Sequence, residues 1–142
     1  MLFRSTAVLA TVEQSAEDAR CGVRVLRWSN AGHPPPMVIN PDGGVVELST
    51  VESDLLLGLD HEARRVESVV SLDRGATVLL YTDGLVESRG QSLDQGLRLL
   101  RDTLVELAAG ELPLERLCTL VLREMLPERP DDDVALVAVR LR

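Results

Sequence analysis

Ala76-Thr77-Val78-Leu79-Leu80-Tyr81 runs straight into Thr82-Asp83-Gly84, and a helical pattern opens at Leu85-Val86-Glu87. The first six residues are a short apolar run behind the turn residues Leu72-Asp73-Arg74-Gly75, which reads as a strand. Asp83 therefore stands at a strand end. A second acidic cluster, Asp131-Asp132-Asp133, comes just before the last apolar run, Val134 to Val139. Two carboxylate sites at strand ends suggest a metal site.

Working outward, the segment before Ala76 reads as strands joined by turns. Leu2 to Glu13 is apolar and reads as a strand, and polar Gln14 to Arg20 as a hairpin loop. Val23 to Ser29 alternates as a strand buried on at least one face. In Asn30 to Pro36, Gly32 permits positive φ and three prolines forbid a helix, so the stretch reads as a turn. Met37 to Asn40, the tight turn Pro41-Asp42-Gly43-Gly44 and Val45 to Leu48 read as strand, turn and return strand. To this point the pattern predicts an antiparallel meander. Leu55 to Leu59 stays open, and Arg65 to Val70 reads as a further strand.

After Asp83 the period changes. Leu93, Leu97, Leu100, Leu104 and Leu107 recur at helical spacing, with Gly110 placed to end the helix. Leu114, Leu117, Cys118, Val121, Leu122 and Met125 mark a second amphipathic helix, closed by Pro127 and Pro130. Val134 to Leu141 alternates as the final strand. The expected class is α+β, mostly antiparallel β-sheet with flanking helices, in a single domain over 1–142.

Composition narrows the function. Phe3, Trp28 and Tyr81 are the only aromatic residues, so the core is built from Leu, Val and Ala. All the basic residues are Arg, which reflects codon usage rather than mechanism. A net charge of −8 argues against nucleic-acid and anionic-membrane partners, and repels phosphorylated substrates unless bound cations reverse the sign locally. No run approaches the ~18 apolar residues of a membrane span, and the start is too short for a secretory signal, so a cytoplasmic protein is expected. Cys21 and Cys118 have no zinc spacing, and Cys118 reads as a buried reduced thiol.

Mg²⁺ and Mn²⁺ take hard oxygen ligands, usually a few carboxylates with several waters. Asp83 and Asp132 have suitable positions, and Gly84 lets backbone or ligand approach closely. On the residues alone other readings stay open. Asp83 also reads as the N-cap of the following helix. Asp131 to Asp133 also reads as a solvated loop, and His33 as a structural hydrogen-bonding histidine.

Four stretches then carry a resemblance. They are Leu26 to Pro36 with its Asn30-Ala31-Gly32-His33-Pro34-Pro35 string, Leu55 to Leu59, Leu72 to Glu87 with Tyr81-Thr82-Asp83-Gly84-Leu85, and Asp132 to Val137. In order and spacing the chain resembles the C-terminal portion of a SpoIIE-like domain. That is the bacterial branch of the PPM-type (protein phosphatase 2C class) metal-dependent serine/threonine phosphatases.

The resemblance implies a partial α-β-β-α sandwich with Mn²⁺ or Mg²⁺ between its sheets. Asp83 matches the metal-binding aspartate of the Thr-Asp-Gly motif, and Asp132 that of the closing motif, with Asp133 as the alternative register. Asn30, Gly32 and His33 match a structural turn. The implied substrate is a phosphorylated STAS-type anti-sigma factor antagonist, and the implied role is sigma-factor regulation. The family's Gly-Asp motif, whose aspartate bridges both metals, does not occur ahead of Leu26. The expectation is a fragment or degenerate relative with an incomplete site, inactive alone, whose open edges favour a homodimer. The alternatives are a non-catalytic interaction module and, ranked last, a receiver-like phosphoacceptor domain.

Overall fold

A computed structural model describes residues 5–49, 55–126 and 132–142. The elements are β1 (Ala7–Glu13), α1 (Ala16–Cys21), β2 (Val23–Ala31), β3 (Met37–Ile39), β4 (Val45–Glu47), β5 (Ser68–Asp73) and β6 (Thr77–Tyr81), then α2 (Leu93–Ala108), α3 (Leu114–Met125) and β7 (Leu136–Arg140). The strands form two sheets, ordered β1-β2-β5 and β4-β3-β6-β7, and every pairing is antiparallel. The fold is the expected α+β class with antiparallel sheets and flanking helices.

The chain divides into two compact units. One comprises Met1–Pro35 and Ser49–Arg74 and holds the three-stranded sheet; the other comprises Pro36–Leu48 and Gly75–Arg142 and holds the four-stranded sheet. The expected meander is therefore corrected: β2 and β3 follow one another but belong to different sheets. Pro34 to Pro36 between them have no backbone N–H to extend a ladder, so the chain leaves one sheet there.

Other expectations are adjusted locally. The supposed loop Gln14 to Arg20 contains α1, because Ser15 and Asp18 form a reciprocal capping box: the Ser15 hydroxyl accepts from Asp18 N and the Asp18 carboxylate from Ser15 N. β5 starts at Ser68 and runs through Leu72 and Asp73, so the expected turn is confined to Arg74 and Gly75. The helical pattern after Asp83 is one 3-10 turn, Asp83–Leu85; the long helix α2 starts only at Leu93, behind a Ser92/Gln95 capping box. It ends at Ala108, two residues before Gly110, and the left-handed position that follows is Glu111, with φ 43°. Cys118 is half-buried rather than buried. Leu2 to Arg4, Pro127, Pro130 and Asp131 lie outside the described residues.

The four-stranded unit has its own core. β3 and β6 contribute Met37, Ile39, Leu79 and Tyr81, α2 contributes Leu100 and Leu104, and α3 contributes Leu117, Val121 and Met125. Gly96 lets α2 approach the segment after β6. A Cβ there would lie 1.6 Å from the carbonyl oxygen of Val86, well inside contact distance. Leu85 and Val86 are buried in the same core, so the loop beyond Asp83 is anchored from below.

Candidate functional site

β6 and β7 pair in register from Thr77↔Arg140 to Tyr81↔Leu136. Asp83 follows the last β6 pair, and Asp132 and Asp133 precede the first residue of β7. Antiparallel pairing thus brings both acidic motifs to one end of the same two strands. Thr82 fastens that end. Its N–H donates to Ala135 O at 3.0 Å, its hydroxyl accepts from Ala135 N at 2.8 Å and donates to Asp133 O at 3.3 Å.

Gly84 permits a second close approach. A Cβ at this position would stand 2.5 Å from the carbonyl oxygen of Asp133, so any side chain would push the two motifs apart. Each aspartate is held by the amide that follows it: Gly84 N donates to Asp83 Oδ1 at 2.9 Å, and Asp133 N donates to Asp132 Oδ1 at 2.8 Å. The Oδ2 atoms of Asp83 and Asp132 have no protein donor among the described residues.

A surface pocket of about 370 Å³ is lined by Asp83, Gly84, Glu87, Ser88, Arg89 and Asp132. Both predicted aspartates line it, and Gly84 lies between them. Asp133 meets the site through its backbone carbonyl. The N-cap position of the 3-10 turn belongs to Thr82, so Asp83 is the first residue of that turn rather than its cap. The pocket also holds residues that the motifs did not single out, Ser88 and Arg89, while Glu87 closes the quoted string. Arg89 follows Glu87 and Ser88 immediately, and nothing in its spacing marks it as a pocket residue.

Three carboxylates therefore share a wall with one guanidinium. Even so, no three His, Cys, Asp or Glu side chains converge on a common point suited to a metal among the described residues. The donor set suits a hard cation bound by one or two carboxylates and several waters. Beneath the site, burial pushes the Tyr81 phenol well above its ordinary pKa, and the Glu47 charge adds to the rise. The ring is thus a neutral part of the core.

Asn30, Gly32 and His33 lie in the other unit and make a closed turn. The Asn30 amide donates to His33 O at 2.8 Å and accepts from His33 N at 2.7 Å, while Gly32 takes φ 66°. The His33 ring nitrogen Nδ1 lies 3.1 Å from Thr6 Oγ1.

Residues 6–142 match the family described as Stage II sporulation protein E (SpoIIE). The chain belongs to the SpoIIE family. Among solved structures it is similar to the RsbU and RsbW domains of Rv1364c from Mycobacterium tuberculosis, at 28% identity over 83% of this chain and 32% of that one, with a TM-score of 0.68. The Mn-presoaked phosphatase domain of the cell fate determinant SpoIIE from Bacillus subtilis shares the fold, at 17% identity, 96% and 56% coverage and a TM-score of 0.62. A phosphatase from Toxoplasma gondii does so at 16% identity, 96% and 63% coverage and a TM-score of 0.62. This SpoIIE-family chain therefore spans from about a third to just under two thirds of those solved chains. Among its described residues no helix is long and apolar enough to cross a membrane.

Proposed function

We propose that Asp83 and Asp132 are ligands for a divalent cation, Mn²⁺ or Mg²⁺, in a protein serine/threonine phosphatase of the SpoIIE family. The observation that carries this reading is their meeting in one pocket from opposite strands, with Gly84 between them. Asp133 is the alternative register of the second ligand. When bound, such a cation lowers the pKa of a coordinated water and offsets phosphate charge.

The chain's own residues supply the rest. Asp83 and Asp132 present one amide-held and one unsatisfied carboxylate oxygen each. Thr82 and Gly84 fix the separation of the two backbones. Three carboxylates without a cation would repel a phosphate dianion, so binding of substrate depends on filling the site. On this reading residues 1–142 form one phosphatase-like domain that carries the later carboxylates of the family's set, and it is inactive without a bridging aspartate. The substrate is phosphoserine or phosphothreonine on a STAS-type anti-sigma factor antagonist in the cytoplasm. The family and the likeness to the RsbU and RsbW domains support that choice.

Calorimetric titration with Mn²⁺ tests the ligands. One weak site is expected, lost in Asp83→Asn and Asp132→Asn and retained in Asp133→Asn. Equal loss in Asp133→Asn would move the ligand to that register, and no binding to the unsubstituted chain would remove the proposal. Mn²⁺-dependent phosphate release from a phosphorylated STAS protein, by this chain and by a form extended at its N-terminus, tests the activity. An inactive extended form sinks it. The absence of three converging ligand side chains among the described residues favours a second reading, a non-catalytic interaction module. That reading requires metal-independent binding of a STAS protein, and tight binding of two metals rules it out.

A further inference from the structure

The opposite end of the β6–β7 ladder holds a second cavity. It lies beside the Thr77↔Arg140 pair, four residues along β6 from Tyr81, or roughly 13 Å at the rise of a strand. Its volume is about 300 Å³, and its walls include Ile39, Leu107, Leu117, Asn40, Glu111 and Arg140. All of them belong to the four-stranded unit. About 300 Å³ is the lower end of the range for small-molecule pockets.

Two opposite charges, Arg140 and Glu111, line this cavity. Arg140 is partly buried, and its guanidinium is held in place by two neutral acceptors: Nε donates to Thr77 Oγ1 and Nη2 to Leu112 O, both at 3.0 Å. No carboxylate pairs with it among the described residues. A fixed guanidinium with donors to spare is a good receptor for a carboxylate. Glu111 lines the same cavity without pairing to Arg140. Its backbone has φ 43°, and it is the single non-glycine residue with positive φ among those described. Strained backbone of this kind is often retained where it places a functional group. Beside the two charges the lining holds the aliphatic side chains of Ile39, Leu107 and Leu117 and the polar side chains of Asn40 and Thr77.

We propose that this cavity binds a free α-amino acid with a branched aliphatic side chain. Arg140 receives the carboxylate, Glu111 the ammonium group, and Ile39, Leu107 and Leu117 the hydrocarbon. Either charged residue alone would favour a simple anion or a simple cation. The two together favour a zwitterion, and the aliphatic part of the lining favours leucine over glycine, which has no hydrocarbon to bury there.

The test is a titration of the full ¹⁵N-labelled chain followed by NMR. L-leucine is expected to give saturable shifts at Thr77, Leu112 and the Arg140 Nε–H, unchanged in Asp83→Asn. Loss of one charge-assisted contact weakens binding by about tenfold or more. Hence 4-methylpentanoate, which lacks the ammonium, and 3-methylbutylamine, which lacks the carboxylate, should each bind at least about tenfold more weakly. Glycine, which has both charges but no hydrocarbon to bury, should bind at least about tenfold more weakly than leucine. Glu111→Gln should bring leucine down to the level of 4-methylpentanoate and should not weaken that acid's own binding. The absence of saturable shifts with leucine overturns the proposal. So does an amine that matches leucine, or a Glu111→Gln variant that binds leucine normally.

Discussion

The two units are made from similar apolar strands but bury them to different extents. In the four-stranded unit, Thr77, Val78, Leu79 and Tyr81 of β6 are all buried, and α2 and α3 pack on the sheet around Leu100, Leu104, Leu117 and Val121. In the three-stranded unit, β1 has no buried residue, Leu9 is 71% exposed and Val69 on β5 is 52% exposed. Its helix α1 buries none of its own residues. The difference shows where precise geometry is available. The acidic pair extends from strands that have their own close-packed core, whereas the Asn30–His33 turn is held by hydrogen bonds within itself and to Thr6.

Glycine substitutions at one tightly packed and one open position should differ most sharply. Gly96→Ala places a Cβ 1.6 Å from Val86 O, and the atoms it meets are all backbone, so α2 must shift. A loss of about 3 kcal/mol or more is expected in urea unfolding. Gly22→Ala, in the other unit, meets nothing within 4 Å and opposes only a φ of 70°. It should cost about 1 kcal/mol. Equal costs would break the contrast between packed and open units.

Truncation comes next. Leu104 is fully buried, and Leu104→Ala should cost about 2–5 kcal/mol. Leu9→Ala should stay within about 0.5 kcal/mol. A large effect of Leu9→Ala would reveal burial that its 71% exposure does not suggest.

The smallest effects are pH-dependent and of opposite sign. Burial raises the Cys118 thiol pKa in α3. The folded state holds that proton more tightly than the unfolded state, whose thiol titrates near ~8.5. Stability from this source is present below that pH and falls as pH rises through the folded value. Cys118→Ala should flatten the alkaline slope of the unfolding midpoint. In α1 the Ser15 hydroxyl lowers the Asp18 pKa, with the Ser15 amide adding to the effect. Its contribution is present above the unfolded carboxyl pKa and is lost as pH falls through the folded value. Protection of the Asp18 amide from exchange, taken relative to its intrinsic rate at each pH, should fall at acid pH, and Asp18→Asn should remove the change.

Much of this was legible in the sequence. Apolar spacing located α2 and α3, because a helix that covers a core repeats its leucines every three to four residues. Turn chemistry located Pro41–Gly44 and the break before β3, though the expected turn Asn30–Pro36 starts two residues early, since β2 runs to Ala31. Spacing did not reveal α1, because a six-residue helix with no buried face has no apolar period; only its capping residues mark it. The late start of α2 was hidden because Leu85 and Val86 are apolar for a different reason: they anchor the loop after Asp83 in the core.

The candidate site divides along the same line. The sequence by itself determined which carboxylates stand at strand ends, since a strand's length and its bounding turns are local properties. Tertiary structure decided that β6 and β7 are neighbours, and so that Asp83 and Asp132 share a pocket while Asp133 meets it by its backbone. It also decided that Arg140 and Glu111 line a separate cavity at the far end of the same ladder. Pairing between strands distant in the chain depends on long-range burial and register, and no local pattern of residues carries that information.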